Sequence, residues 1–178
     1  MIIKIDGSLY SVVEFGQNKT ARAAAKVWAK LKGVDNNRTI EQTWNSGENI
    51  FPVRVERKPF QYLYKDDTGY NFMNTENFEQ IAVEERMVDA PQFLKDGQEV
   101  SMLINTETDL PMSVELPDKI VMQVTYTEPG LKGDTATRTL KPATVETGAT
   151  VNVPLFVNEG EMIRVNTKTG EYVERVKE

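Results

Sequence analysis

Five cationic side chains and no acidic one stand between Gln17 and Lys32: Lys19, Arg22, Lys26, Lys30 and Lys32, with Trp28 among them. Cations spaced in this way can pair with phosphates, and an aromatic ring between them can stack on a base. The alternative is a solvated face, the usual fate of a Lys and Arg run, with Trp28 simply covering a neighbouring strand. A second candidate is the loop Gly130-Leu131-Lys132-Gly133-Asp134-Thr135. It lacks the Gly-Lys-Ser/Thr ending that cradles nucleotide phosphates, so it is either a contact loop or a turn in which Asp134 caps the backbone. The chain contains no Cys and no His. Disulfides, thiolate nucleophiles, imidazole or thiolate metal ligands and Ser-His-Asp or Cys-His arrangements are therefore all excluded. Acid–base work at neutral pH would fall on a perturbed carboxylate, Lys or Tyr. No catalytic residue, metal site or cofactor is expected, and an enzyme is the least favoured class.

The basic element lies in an acidic protein whose charge is unevenly spread. The net charge of −6 divides into +3 over residues 1–54, −8 over 55–117 and −1 over 118–178. A basic end on an acidic body suits a protein that meets a polyanion with one end only. With 178 residues, of which 39% are hydrophobic and 27% charged, the chain can build one large domain or two or three small ones. No apolar run reaches the roughly 18 residues of a membrane span. Met1-Ile2-Ile3-Lys4 does not read as a signal leader, so the expected location is cytoplasmic, with no membrane partner.

The elements that must position these residues read as strands. Ser8–Phe15 is rich in β-branched and aromatic residues and follows the turn Asp6-Gly7. The basic element itself is ambiguous. Thr20 can cap an Ala-rich helix through Leu31 that stops at Gly33. Yet Val27, Ala29 and Leu31 alternate with Lys26, Trp28, Lys30 and Lys32, the period of a half-buried strand. In the strand reading the element forms a hairpin with Ser8–Phe15, and Arg22 lies near the tip of its loop. Further strands are predicted at Thr39–Trp44, Ile50–Lys58 (interrupted by Pro52), Phe60–Lys65, Tyr70–Met73, Gln98–Asn105 and Met112–Leu116. Short helical turns fall within Glu84–Leu94, and the last strands at Ile120–Thr127, Val151–Val157, Glu161–Asn166 and Glu171–Val176. Composition shifts near Pro52–Glu56, and Pro117-Asp118 reads as a link, so the predicted domains are 1–54, 55–117 and 118–178. The short strands of the middle and last units suit small oligonucleotide-binding (OB) barrels.

Several stretches carry a resemblance. Pro129-Gly130-Leu131-Lys132-Gly133-Asp134-Thr135-Ala136, Lys141-Pro142-Ala143-Thr144-Val145-Glu146-Thr147-Gly148, Val151-Asn152-Val153-Pro154-Leu155-Phe156-Val157 with Glu159-Gly160, and Thr169-Gly170-Glu171-Tyr172 are similar to the C-terminal domain of bacterial translation elongation factor P. Arg54-Val55-Glu56-Arg57, Gln61-Tyr62-Leu63-Tyr64, Phe72-Met73 and Phe78-Glu79-Gln80-Ile81 resemble that family's middle domain. The likeness covers nearly the whole chain.

The resemblance implies an all-β chain: an N-terminal SH3-like (KOW-like) barrel and two OB barrels, arranged in an L shape like a tRNA. It also implies a monomer that binds the 70S ribosome, through rRNA and ribosomal proteins, beside the peptidyl-tRNA. There the N-terminal loop reaches the CCA end and relieves stalling at consecutive prolines. Matching from Glu14-Phe15 puts Arg22 at the loop tip and Lys19 at its start, with Lys26, Trp28, Lys30 and Lys32 as the RNA- and tRNA-binding stripe. Arg22 is then a possible modification site, served by a tip-modifying enzyme, since family members carry a β-lysyl group on Lys or a rhamnose on Arg. Gly133, Asp134 and Thr135 match the loop that approaches the small subunit. An extended cation suits this role, because it can order two phosphate-rich ends without proton chemistry. The chain departs from the family's Lys-Pro-Gly loop at Thr20, Ala21 and Ala23, which lack glycine's access to positive φ. It also begins later than most members, so a leading strand of the first barrel is expected to be missing or rearranged. The alternatives are a divergent paralogue that binds ribosome or tRNA without relieving proline stalls, and an unrelated sugar- or RNA-binding barrel.

Overall fold

In a computed structural model the strand period prevails over helical propensity across Lys26–Gly33. The structure describes residues 1–19, 24–130 and 139–177. Five strands make the first sheet: β1 (Ile2–Ile5), β2 (Ser8–Asn18), β3 (Lys26–Gly33), β4 (Thr39–Asn45) and β5 (Phe51–Val53), in the order β4-β3-β2-β1-β5. Side chains of β3 alternate across the sheet. Ala29 and Leu31 are buried with Ile3, and Tyr10, Val12 and Trp44 close over them. An isolated Ala-rich helix would bury none of this surface, whereas Leu31 alone gains about 1.5–3 kcal/mol from burial. β1 was not legible as a strand, being only four residues before a turn. It is nonetheless interior to the sheet and buried on both faces, with Ile3 in one core and Ile2 packing with Val53, Leu103 and Met112 in another.

The second sheet contains β6 (Val55–Asp66), β7 (Gly69–Asn74), β8 (Gln80–Val83), β9 (Glu99–Asn105) and β10 (Leu110–Glu115), in the order β10-β9-β6-β7-β8. The strand expected over Ile50–Lys58 breaks at Arg54 rather than at Pro52, because Pro52 sits in an edge strand where its missing N–H is harmless. The Arg54 carbonyl accepts instead from the backbone and hydroxyl of Thr106. β8 was not foreseen, since its four residues carry too short an alternation to register. The β6–β7 turn is tied by Asp66, whose Oδ1 accepts from the Thr68 backbone at 2.9 Å and its hydroxyl at 2.6 Å. Gly69 ends it at φ 125°, and a Cβ there would lie 2.4 Å from the Val83 carbonyl oxygen. The expected helical turns are two short 3-10 turns, Glu85–Met87 and Pro91–Phe93.

The third sheet contains β11 (Lys119–Thr127), β12 (Leu140–Val145), β13 (Thr150–Pro154), β14 (Met162–Asn166) and β15 (Tyr172–Val176), in the order β13-β12-β11-β14-β15. β13 also approaches β15, and bulges in the β11–β12 and β14–β15 ladders bend the strands, so the sheet curls around a core of Met122, Val124, Val145, Val151, Val153, Ile163 and Val165. β12 was missed because Pro142 argues against an interior strand. The β11 ladder ends at the Thr127–Ala143 pair, so the absent N–H of Pro142 costs no ladder bond, and its carbonyl accepts from the Thr127 hydroxyl at 3.0 Å.

The chain divides into two compact units, Met1–Lys58 with Met102–Ser113, and Pro59–Ser101 with Val114–Glu178. Within the second, the 3-10 segment is fastened to the third sheet by polar contacts. Lys168 Nζ lies 2.6 Å from Asp89 Oδ2, while Asp89 Oδ1 accepts from the Leu116 backbone. The bond to Asp89 holds the Lys168 amine above the usual lysine range. Lys95 Nζ donates to the Val121 carbonyl at 2.7 Å and faces Glu146 at 3.6 Å, and the Thr147 hydroxyl donates to the Gln92 carbonyl. Among the described residues no helix is long and apolar enough to cross a membrane.

Candidate nucleic-acid interface

The geometry of the basic element follows from the β2–β3 and β3–β4 registers. Lys26, Lys30 and Lys32 are exposed and share one face of β3 with Trp28. Lys26 pairs across with Asn18 and Asn45, and Lys32 with Ser11 and Thr39. Lys30 differs, because its two cross-strand neighbours are Glu14 and Glu41. Directly opposed residues hold their Cβ atoms about 4.5–5.5 Å apart, so an acidic residue stands on each neighbouring strand beside it. Of the three lysines, only Lys30 has acidic residues directly opposite it on both neighbouring strands. Sequence spacing alone did not reveal the two carboxylates, since Glu14 and Glu41 are distant in the chain and meet only through register.

Trp28 is half-buried and stands opposite Gly16. A Cβ on Gly16 would come within 2.7 Å of the indole, so the ring rests against the bare backbone of β2. That contact accounts for the glycine and gives Trp28 a seat in the hairpin, with the remainder of the ring on the cationic face. Phe15 was not singled out in the sequence as a contact residue, yet it is 74% exposed. It pairs with Ala29 and so faces away from the lysine stripe. Lys19 is exposed just beyond the end of β2. Arg22, the expected tip, lies outside the described residues, as do Thr20, Ala21 and Ala23.

The second expected contact, Gly133-Asp134-Thr135, also lies outside them, but both ends of that connection are described. Lys141, 7% exposed, donates from Nζ to the Glu128 carbonyl at 2.5 Å. Gly130 passes so close to Leu155, just beyond β13, that a Cβ would meet its carbonyl oxygen at 2.6 Å. The Lys141 amine thus ties the start of β12 to the chain just past β11, where the connection leaves.

Comparison with known proteins assigns the lineage of the chain. Three family models match successive parts of the chain: "Elongation factor P (EF-P) KOW-like domain" over residues 1–50, "Elongation factor P (EF-P) OB domain" over 55–111 and "Elongation factor P, C-terminal" over 120–175. The chain belongs to the elongation factor P family. It is a translation elongation factor, all-β, with KOW-like and OB domains. Elongation factor P 1 of Porphyromonas gingivalis is 52% identical over 178 residues, covering 100% of this chain and 95% of the relative. Elongation factor P of Flavobacterium johnsoniae is 47% identical over the same span, again covering 100% and 95%. Among solved structures the chain is similar to the eukaryotic translation initiation factor 5A from Methanococcus jannaschii, with TM-score 0.46 and 18% identity over 64% of this chain and 86% of that one.

Proposed function

We propose that this elongation factor binds the 70S ribosome beside the peptidyl-tRNA and promotes peptide-bond formation at consecutive prolines through the β2–β3 loop. The observation that carries the reading is the alternation in β3, which puts Lys26 and Lys32 on an exposed face without opposing carboxylates, in the hairpin whose loop contains Arg22. Those cations and Lys19 contact RNA phosphates, with Lys30 contributing less, and Trp28 adds a ring surface. Arg22 reaches the CCA end. Its guanidinium stays charged at all accessible pH values and offers five donors in a planar fork, so it can grip phosphate or ribose oxygens with or without modification by a tip-modifying enzyme. Gly133, Asp134 and Thr135 contact the small subunit. The protein acts as a cytoplasmic monomer in three domains, 1–54, 55–117 and 118–178, a division supported by the separate family matches. It positions substrates and is not an enzyme in its own right.

One feature favours a second reading, a paralogue that binds ribosome or tRNA without relieving proline stalls. Thr20, Ala21 and Ala23 stand where the family's loop has proline and glycines. A reporter with three consecutive prolines, translated in a purified system with and without this protein, separates the two. Restored full-length product supports the elongation reading, and persistent stalling despite ribosome binding supports the paralogue.

A further inference from the structure

One turn design recurs in this chain, and one copy breaks its rule. In each copy the backbone N–H of the fifth residue donates to the carbonyl of the first: Asn37 to Gly33, Phe78 to Asn74, Asp109 to Asn105 and Gly170 to Asn166. In three copies the first residue is an asparagine whose Oδ1 accepts backbone N–H groups inside the turn, from Glu76 and Asn77, from Glu107, and from Lys168 and Thr169. The fifth residue has left-handed backbone in all four, with φ of 55°, 63°, 56° and 73°. Asn, Asp and Gly are the residues that adopt this conformation most readily. A phenylalanine there is strained, and Phe78 gains no burial in return, since 68% of it is exposed. Single exposed apolar residues are ordinary on a protein surface, but they do not ordinarily sit in a strained conformation that three sister turns fill with Asn, Asp and Gly.

The ring's surroundings define the chemistry of what it meets. Glu76 and Glu79 flank it in the sequence of the turn, both exposed, and residues 55–117 carry a net charge of −8. Carboxylates on either side repel phosphate and attract an ammonium or guanidinium, which can also lie on the ring face. We propose that Phe78 is the anchor of a docking knob that receives an Arg- or Lys-bearing segment of a ribosomal protein. The choice of a ribosomal partner rests on the ribosome reading above.

Phe78→Asn and Phe78→Gly install the residues used by the sister turns. Each is expected to keep or raise the thermal midpoint while weakening binding to purified 70S ribosomes at least about fivefold. Phe78→Tyr is expected to bind as wild type, and Glu76→Gln with Glu79→Gln to weaken binding without unfolding. A photoreactive benzoylphenylalanine at position 78 is expected to cross-link to a basic segment of a ribosomal protein. Unchanged affinity in Phe78→Asn overturns the proposal, as does a marked fall in the midpoint of Phe78→Gly, which would make the ring structural. Cross-linking to rRNA, or none at all from ribosome-bound protein, overturns it while leaving the ribosome reading intact. A wild-type protein that fails to bind ribosomes overturns both.

Discussion

Substituting the three stripe lysines one at a time should give unequal losses, because their cross-strand neighbours differ. Each phosphate that a cation neutralises contributes about 0.9 to the slope of log affinity against log salt on duplex, and about 0.7 on single strands. Between 50 and 200 mM salt that is roughly a 3.5-fold change in affinity per duplex contact. Lys26 and Lys32 stand directly opposite only Asn18, Asn45, Ser11 and Thr39, so Lys26→Gln and Lys32→Gln should each flatten the slope by about that full increment. Lys30 stands opposite Glu14 and Glu41, whose charges lower the local positive potential, so Lys30→Gln should flatten it by less. Removing the carboxylates instead, with Glu14→Gln and Glu41→Gln, should steepen it. The assay is ribosome co-sedimentation, or fluorescence anisotropy of a labelled protein, over that salt range at constant pH. Equal effects at all three lysines would refute the compensation reasoning, and an unchanged slope in Lys32→Gln would reduce the stripe to a solvated face.

The loop tip, the Asp89 contact and one turn supply further tests. Arg22→Ala should abolish relief of proline stalls while ribosome binding falls only modestly, and Arg22→Lys should restore it partly at best; full activity of Arg22→Ala in the reporter would move the tip role to Lys19 or Lys26. Lys168 has its pKa raised in the fold by Asp89, so the pair's contribution is complete below the ordinary lysine pKa of about 10.4 and is lost as pH rises through the higher folded value. Both side chains are partly exposed, so the contribution is no more than about 1 kcal/mol. Thermal denaturation should show Lys168→Met below wild type at about pH 8 and the gap closing toward about pH 11, whereas a constant gap would assign the loss to packing. Gly69→Ala should cost at least about 1–3 kcal/mol in urea denaturation, from positive φ and the collision with the Val83 carbonyl, and a neutral result would show that the turn relaxes.

How much of this was legible in the sequence depended on how local the information was. The alternation of Val27, Ala29 and Leu31 with lysines is written in consecutive residues, and it located the cationic face even though the alanines favoured a helix. Turns marked by Asp6-Gly7 and Asp66–Gly69 were equally plain, as was the family, whose motifs are contiguous strings. β1, β8 and β12 were not: two are too short to show a period, and the third carries a proline that only the end of its ladder makes harmless.

Residue order by itself determined the β class, the charge asymmetry, the cationic stripe and the absence of imidazole and thiol chemistry, because each follows from residue type and nearest-neighbour spacing. Tertiary structure alone decided which lysine of the stripe stands opposite acidic residues. Glu14 and Glu41 come to stand opposite Lys30 only through the pairing of three strands, and register is a property of strands meeting, not of any one strand. The same holds for the seat of Trp28 on Gly16 and for the strain at Phe78, since contact between strands and the sign of a φ angle are set when the chain closes on itself.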